Sequence, residues 1–192
     1  CQDDVNEIFE GVDIIANIAT DQNGGGGINS NWNSPVTIVN SIIISNEPNQ
    51  MAINGDQCSF TVSYSNIENG QDSIYLSNSD NNQINWENGN IDVDSKFIDS
   101  DSENFQLLAS SRLINAGHPD STDSDGTVAD IGAYPYLNSY SGPTWYITES
   151  GNDTTATGSS EDPFRSIQAG INFSSDADSV TVAAGTYVEN IN

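Results

Sequence analysis

The chain has 192 residues, 28 of them acidic and 3 basic, for a formal net charge of −25. A surface of that sign repels nucleic acid and anionic membrane, which excludes binding to either through a basic patch. The apolar fraction, 35%, is low, yet aromatic and β-branched residues are too many for a disordered polymer, and no apolar run approaches the length of a membrane span.

Ile and Val far outnumber Leu, and β-branched side chains suit a pleated surface, so the core is expected to be built from strands. Asn, Ser, Gly and Asp fill the intervals between apolar runs, as a frequently turning chain requires. The two cysteines, Cys1 and Cys58, allow either one disulfide or two buried thiols. A chain opening on Cys also fits a mature lipoprotein with lipid on its first residue, although the residues after Cys1 already read as part of a repeat.

Residues 1 to about 30 read as a first coil, with a short strand at Val12-Asp13-Ile14-Ile15 and a turn at Gly24-Gly25-Gly26-Gly27. No Lys-Ser/Thr follows these glycines, so a phosphate-cradling loop is set aside. The strongest apolar stretch is Val36 to Asn46, and it recurs at intervals of 24 residues. Val12, Val36 and Phe60 align, as do Ile14, Ile38 and Val62, then Asn17, Ser41 and Ser65; Ile84, Trp86 and Ile91 form a looser fourth copy. A period of this length is expected of a solenoid, whose repeats bury their apolar faces only by stacking. Asn40 and Asn46 are placed to turn corners and to stack with equivalents in neighbouring coils.

Beyond Lys96 the pattern changes. Phe97-Ile98-Asp99 and Phe105-Gln106-Leu107 read as short strands, followed by Ser111 to Pro119, an aspartate-rich turn from Asp120 to Asp130, and Ile131-Gly132-Ala133-Tyr134. Together with Asn40-Ser41-Ile42-Ile43, Tyr64-Ser65-Asn66-Ile67 and Gly89-Asn90-Ile91-Asp92, this succession resembles the closing coils of secreted bacterial right-handed parallel β-helix repeat proteins, in the pectate-lyase-like superfamily. The resemblance implies an all-β, right-handed parallel β-helix of four to five coils. It spans residues 5–137, and the first domain is drawn as 1–137.

Residues 138–143 read as a linker, and 144–192 resemble the opposite, opening end of such a domain. Trp145-Tyr146-Ile147 is a strand. Asp162 and Pro163 are suited to the N-cap and first position of a short helix, in which Phe164, Ile167 and Ile171 share one face. Ser179 to Glu189 reads as the first rung covered by that cap. A segment this short cannot bury a full core alone. Two arrangements are open: the chain is part of a longer multidomain protein, or its last rung stacks on the first coil of a neighbouring chain, giving a head-to-tail fibre. In the second arrangement Trp145, Phe164, Ile167, Ile171, Val180, Val182 and Tyr187 carry the self-association.

Asp120, Asp123, Asp125 and Asp130, with Gly126 between them, have the composition of a calcium loop without EF-hand spacing; the competing reading is a polar turn closed by Asx bonds. Asp92, Asp94 and Asp99 are candidates for a paired-carboxylate hydrolase, and Lys96 is the candidate base that the resemblance to lyases implies. Arg112 and Arg165 are expected to pair with acids, His118 to sit in a turn, and the Trp and Tyr side chains to be core or sugar-stacking surfaces. No catalytic set emerges. The expectation is a non-enzymatic extracellular or cell-surface module for adhesion or fibre formation; the alternative is a polysaccharide-binding or polysaccharide-degrading protein.

Overall fold

The computed structural model describes residues 6–191, which are mostly strands in parallel sheets with one α-helix, as in an all-β solenoid. The chain forms two compact units, one of residues up to Val93 with Ile131–Ala133, the other of Asp94–Asp130 with residues from Tyr134 onward. Residues 94–130 group with the C-terminal segment and not with the coils.

The first unit contains Glu7–Glu10 (β1), Asp13–Ile15 (β2), Gly25–Ser30 (β3), Pro35–Val39 (β4), Ile42–Ile44 (β5), Asn49–Ile53 (β6), Ser59–Ser63 (β7), Asn66–Ile67 (β8), Ile74–Leu76 (β9) and Gln83–Trp86 (β10). They sort into three parallel sheets, β1-β4-β7-β10, β2-β5-β8 and β3-β6-β9, so each sheet takes one strand from each of the first three coils and β10 extends the first sheet into a fourth. Val36 pairs with Phe60 and Phe60 with Ile84; Ile38 pairs with Val62 and Val62 with Trp86. Ile38, Ile43, Met51, Ile53, Phe60, Val62 and Ile67 form a fully buried core. Burying each such side chain contributes about 1.5–3 kcal/mol, which only stacking can supply to so short a coil.

The corners recur with the strands. Gly11, Asn40, Tyr64 and Gly89 all take positive φ where the chain leaves the first sheet, and Ala16, Ser45 and Asn69 do so where it leaves the second. Polar side chains then tie corner to corner. The Ser41 amide donates to Ser65 Oγ at 3.2 Å and the Ser65 amide to Asn90 Oδ1 at 3.2 Å. Asn46, 5% exposed, donates through Nδ2 to the Ile14 and Ile44 carbonyls and to Gln50 Oε1, and accepts through Oδ1 from the Asn17 amide and side chain. Gln50 continues the chain of bonds to Glu68. Of the expected corner ladder, Asn46 meets Asn17 of the coil before it, and the left-handed residue at this corner is Ser45.

The first coil departs from the 24-residue interval. Glu7 pairs with Val36, Phe9 with Ile38 and Ile14 with Ile43, each 29 positions apart, so Val12 does not align with Val36 nor Ile14 with Ile38. Asn17 likewise meets Asn46 and not Ser41. The extra residues lie between Ile18, which bridges to Glu47, and Gly25, which pairs with Asn49; Asp21 closes the bulged loop by accepting from Gly24. The glycine run is not the turn expected but a bulged strand. A Cβ on Gly26 would lie 2.4 Å from the Glu47 carbonyl oxygen and 2.5 Å from that of Asn17, so the close approach of neighbouring backbones requires glycine there.

In the second unit Phe97–Asp99 (β11) and Asn104–Leu107 (β12) pair antiparallel, and Thr144–Ile147 (β13) pairs parallel with Ser179–Val182 (β14). The helix Ile167–Phe173 (α1) begins later than the Asp162-Pro163 signal indicates. Phe164 is instead extended: its amide donates to the Tyr146 carbonyl, its carbonyl accepts from Thr148, and it bridges to Ile147. The Glu189 carboxylate accepts from the Ile167 and Gln168 amides at 2.8 and 3.0 Å and so caps the helix from a distant position.

Candidate functional site

The aspartate-rich turn is a hairpin-like loop, with a bridge between Thr122 and Val128 and Gly126 at φ +90° donating to the Asp123 carbonyl. Its carboxylates are engaged by backbone amides. Asp130, 4% exposed, accepts from Asn115 through Oδ1 and from Tyr136 through Oδ2, each at 2.7 Å. Asp123 accepts from the Asp130 amide at 2.9 Å. Asp125 accepts from the amide and hydroxyl of Thr127 and, at 2.9 Å, from the Asn138 amide. Asp120 stands apart, its amide donating to His118 Nδ1. Among the described residues no group of three or more carboxylate, imidazole or thiol side chains is gathered closely enough to hold a metal ion. The carboxylates of Asp123, Asp125 and Asp130 organise the backbone of this loop and the segment after it.

Burial dominates the electrostatics here. It pushes Asp130 up to about 7 against the two amide bonds, with the charges of Asp123 and Asp125 adding to the rise. Burial also raises Asp123. At Asp125 burial works upward, but the bonds from Asn138 and Thr127 outweigh it and hold the group below its ordinary value.

The other candidate acids and bases are dispersed. Lys96 pairs with Asp94 at 2.9 Å with both side chains well exposed. The Lys96 amide bond, more than its ammonium charge, holds the Asp94 carboxyl low. Asp92 accepts from the Asn69 amide, and Asp99 caps a short 3-10 turn through the Ser102 amide. His118 sits in a turn, with its carbonyl accepting from Ser121.

The assembly candidates divide in two. Trp145 and Phe164 are interior to their own unit, where Trp145, Phe164 and Phe173 stack at centroid separations of 5.1–6.2 Å and Trp145 Nε1 donates to Asp178. Their surface is spent inside the chain. Ile167, Ile171, Val180 and Tyr187 are half-buried, and Val182 is exposed. Beside it, β14 pairs only with β13, leaving its outer edge unpaired.

A second open edge lies in the first unit. β1, β2 and β3 are each the terminal strand of their sheet, and the coil they form carries Ile8, Ile18 and Trp32 at 62%, 76% and 70% exposure. Trp32 and Asn33 both take positive φ, and Ser34 Oγ donates to the Asn31 and Trp32 carbonyls, so the loop holds the indole outward by its own hydrogen bonds. Ile8 and Ile18 are hard to place from sequence because Val12 and Ile14 offer a competing alignment at 24 residues. Cys58 is a buried free thiol, while Cys1, and with it the pairing and lipidation expectations, lies outside the described residues. Among the described residues no helix is long and apolar enough to cross a membrane.

A family described as a protein of unknown function (DUF1565) matches residues 149–192, the segment that contains α1 and β14; that family is associated with parallel β-helix proteins. No curated protein matches the chain, and no solved structure does.

Proposed function

We propose that this chain is an extracellular or cell-surface structural module, a right-handed parallel β-helix that associates head to tail through its first coil and the C-terminal segment of a neighbour. The observation that carries the reading is the concentration of unpaired strand edges and exposed Ile8, Ile18 and Trp32 in one coil. An open β edge with apolar neighbours is a template for another strand, and the charges of Glu7 and Glu10 on β1 oppose such pairing until salt screens them. The complementary element is β14, with its free edge and exposed Val182, followed by the exposed side chains of Val188 and Ile191. Two different surfaces meeting in this way form a heterologous contact, which propagates into a fibre when the rotation does not close.

The charge of −25 sets the conditions. Like-charged subunits repel at low ionic strength, and the repulsion is screened within about 8 Å at physiological salt, so association should strengthen as salt rises. Sedimentation of the full chain across concentration and salt tests this. Large assemblies are expected at high salt, and they should be lost in Ile18→Asp and Val182→Asp, whose side chains lie outside the core. A folded monomer at high concentration and high salt would end the proposal.

Polysaccharide binding is the second reading, favoured by the outward indole of Trp32 on its hydrogen-bonded loop. Quenching of Trp fluorescence by soluble glycans in the wild type, absent in Trp32→Ala, is its signature.

A further inference from the structure

The chain contains Asn-Gly at 23–24, 54–55, 69–70 and 88–89. In this dipeptide the glycine nitrogen can attack the asparagine side-chain carbonyl, because glycine offers no steric cover to its own amide. The fold treats the copies differently. The Gly24 amide is committed to the Asp21 carbonyl at 2.9 Å. Gly55 is buried beneath the Asn31–Trp32 backbone, where a Cβ would lie 2.1 Å from the Trp32 nitrogen, and Asn54 Nδ2 is held by the Asn23 carbonyl and Asn29 Oδ1. Gly89 lies against the Tyr64 ring, and the Asn88 carbonyl accepts from the Tyr64 amide at 3.1 Å.

Asn69-Gly70 has none of these restraints. Asn69 is exposed and its side chain makes no capping hydrogen bond to the short turn that it opens, while its backbone amide donates to Asp92. Gly70 opens a short 3-10 turn and has nothing within 4 Å of the position a Cβ would take. Its amide belongs to the first turn, where no intrahelical acceptor is available. The left-handed Asn69 backbone must rotate to bring the nitrogen onto the carbonyl carbon, and the open space around Gly70 permits that motion.

We infer that Asn69-Gly70 is a site of spontaneous covalent modification, converted through a cyclic imide to aspartate and isoaspartate. The Gly70 nitrogen forms a bond to Asn69 Cγ, the Cγ–Nδ2 bond breaks, and the side-chain nitrogen leaves as ammonia with the proton given up by Gly70. Water then opens the imide at either carbonyl. The α-carbonyl route leaves isoaspartate, with one methylene added to the main chain at a corner equivalent to Ala16 and Ser45. Either product places a new carboxylate beside the bond to Asp92, adding one negative charge to the chain.

The test is ageing of the purified full chain in warm, mildly alkaline buffer. Peptide mass spectrometry reads the conversion at each of the four dipeptides, and enzymatic methylation reads isoaspartate. Conversion at Asn69 should exceed that at Asn23, Asn54 and Asn88 severalfold in the folded protein, and the four rates should converge in denaturant. Asn69→Gln should abolish the main acidic species that appears on anion exchange. Equal or faster conversion at any of the other three in the folded state, or no conversion at Asn69 when the denatured chain reacts, would overturn the assignment.

Discussion

Replacement of Asn46 by alanine probes the stacking directly, because this one side chain bonds to both flanking sheets of its own coil and to the coil before it. Its Nδ2 reaches the Ile14 carbonyl at 2.8 Å, the Ile44 carbonyl at 3.0 Å and Gln50 Oε1 at 2.8 Å, and its Oδ1 takes the Asn17 amide at 2.9 Å. Truncation strands the Asn17 amide and removes a donor from a buried Gln50. A buried group left unsatisfied costs about 1–3 kcal/mol, and Asn17 is exposed enough for water to replace part of its loss, so the net cost should be about 2–3 kcal/mol. Asn46→Asp is expected to cost more at neutral pH, since it sets a charge against three acceptors and near Glu68. Urea unfolding gives both values, and a cycle with Asn17→Ala isolates the part carried by the Asn17 side chain. A loss below about 0.5 kcal/mol for Asn46→Ala would refute the cross-coil role.

Three further outcomes follow from the packing and the electrostatics. Phe60→Ala should cost about 3–5 kcal/mol by urea unfolding, because the ring is fully buried among Val36, Ile38 and Val62 and the stack cannot collapse without shifting neighbouring coils. Gly26→Ala should destabilise the first unit by about 1–3 kcal/mol, visible as lost amide-exchange protection over residues 13–19 and 44–50, since its Cβ meets backbone oxygens on two sides. The folded pKa of Asp130, about 7, lies above its ordinary 3.8, so folding favours the protonated form. That contribution is full below about pH 4 and is lost as pH rises through about 7; three units at about 1.4 kcal/mol each put the loss on the order of 4 kcal/mol. Asp123 and Asp13, also raised by burial, act in the same direction. Urea midpoints should fall between about pH 4 and pH 7, and Asp130→Asn should flatten that slope.

The stack was legible where side chains of one type repeat at one spacing: Val36 with Phe60, Ile38 with Val62, and Ser41 with Ser65 occupy equivalent positions. The first coil was not, because Val12 and Ile14 offer a second apolar alignment at 24 residues, and nothing local records that residues are inserted after Ile18. The glycine run reads as a turn from its composition. Its actual role depends on backbone from Asn17 and Glu47 closing in from both sides, a long-range constraint. The helix start failed for a similar reason: Asp162-Pro163 is sound cap chemistry, but pairing of Phe164 with Ile147 and capping by Glu189 moved the start to Ile167. At the aspartate loop the residue types were visible, whereas the destinations of the carboxylates, the amides of Asn115, Tyr136 and Asn138, are set by tertiary contacts alone.

Electron microscopy with fibre diffraction on the full chain at high salt tests head-to-tail association most directly. If the first coil of one subunit adds to β14 of the next, filaments should appear with an axial reflection near 4.8 Å, the spacing of neighbouring strands. Discrete particles of monomer size, with no such reflection at any salt concentration, would contradict it.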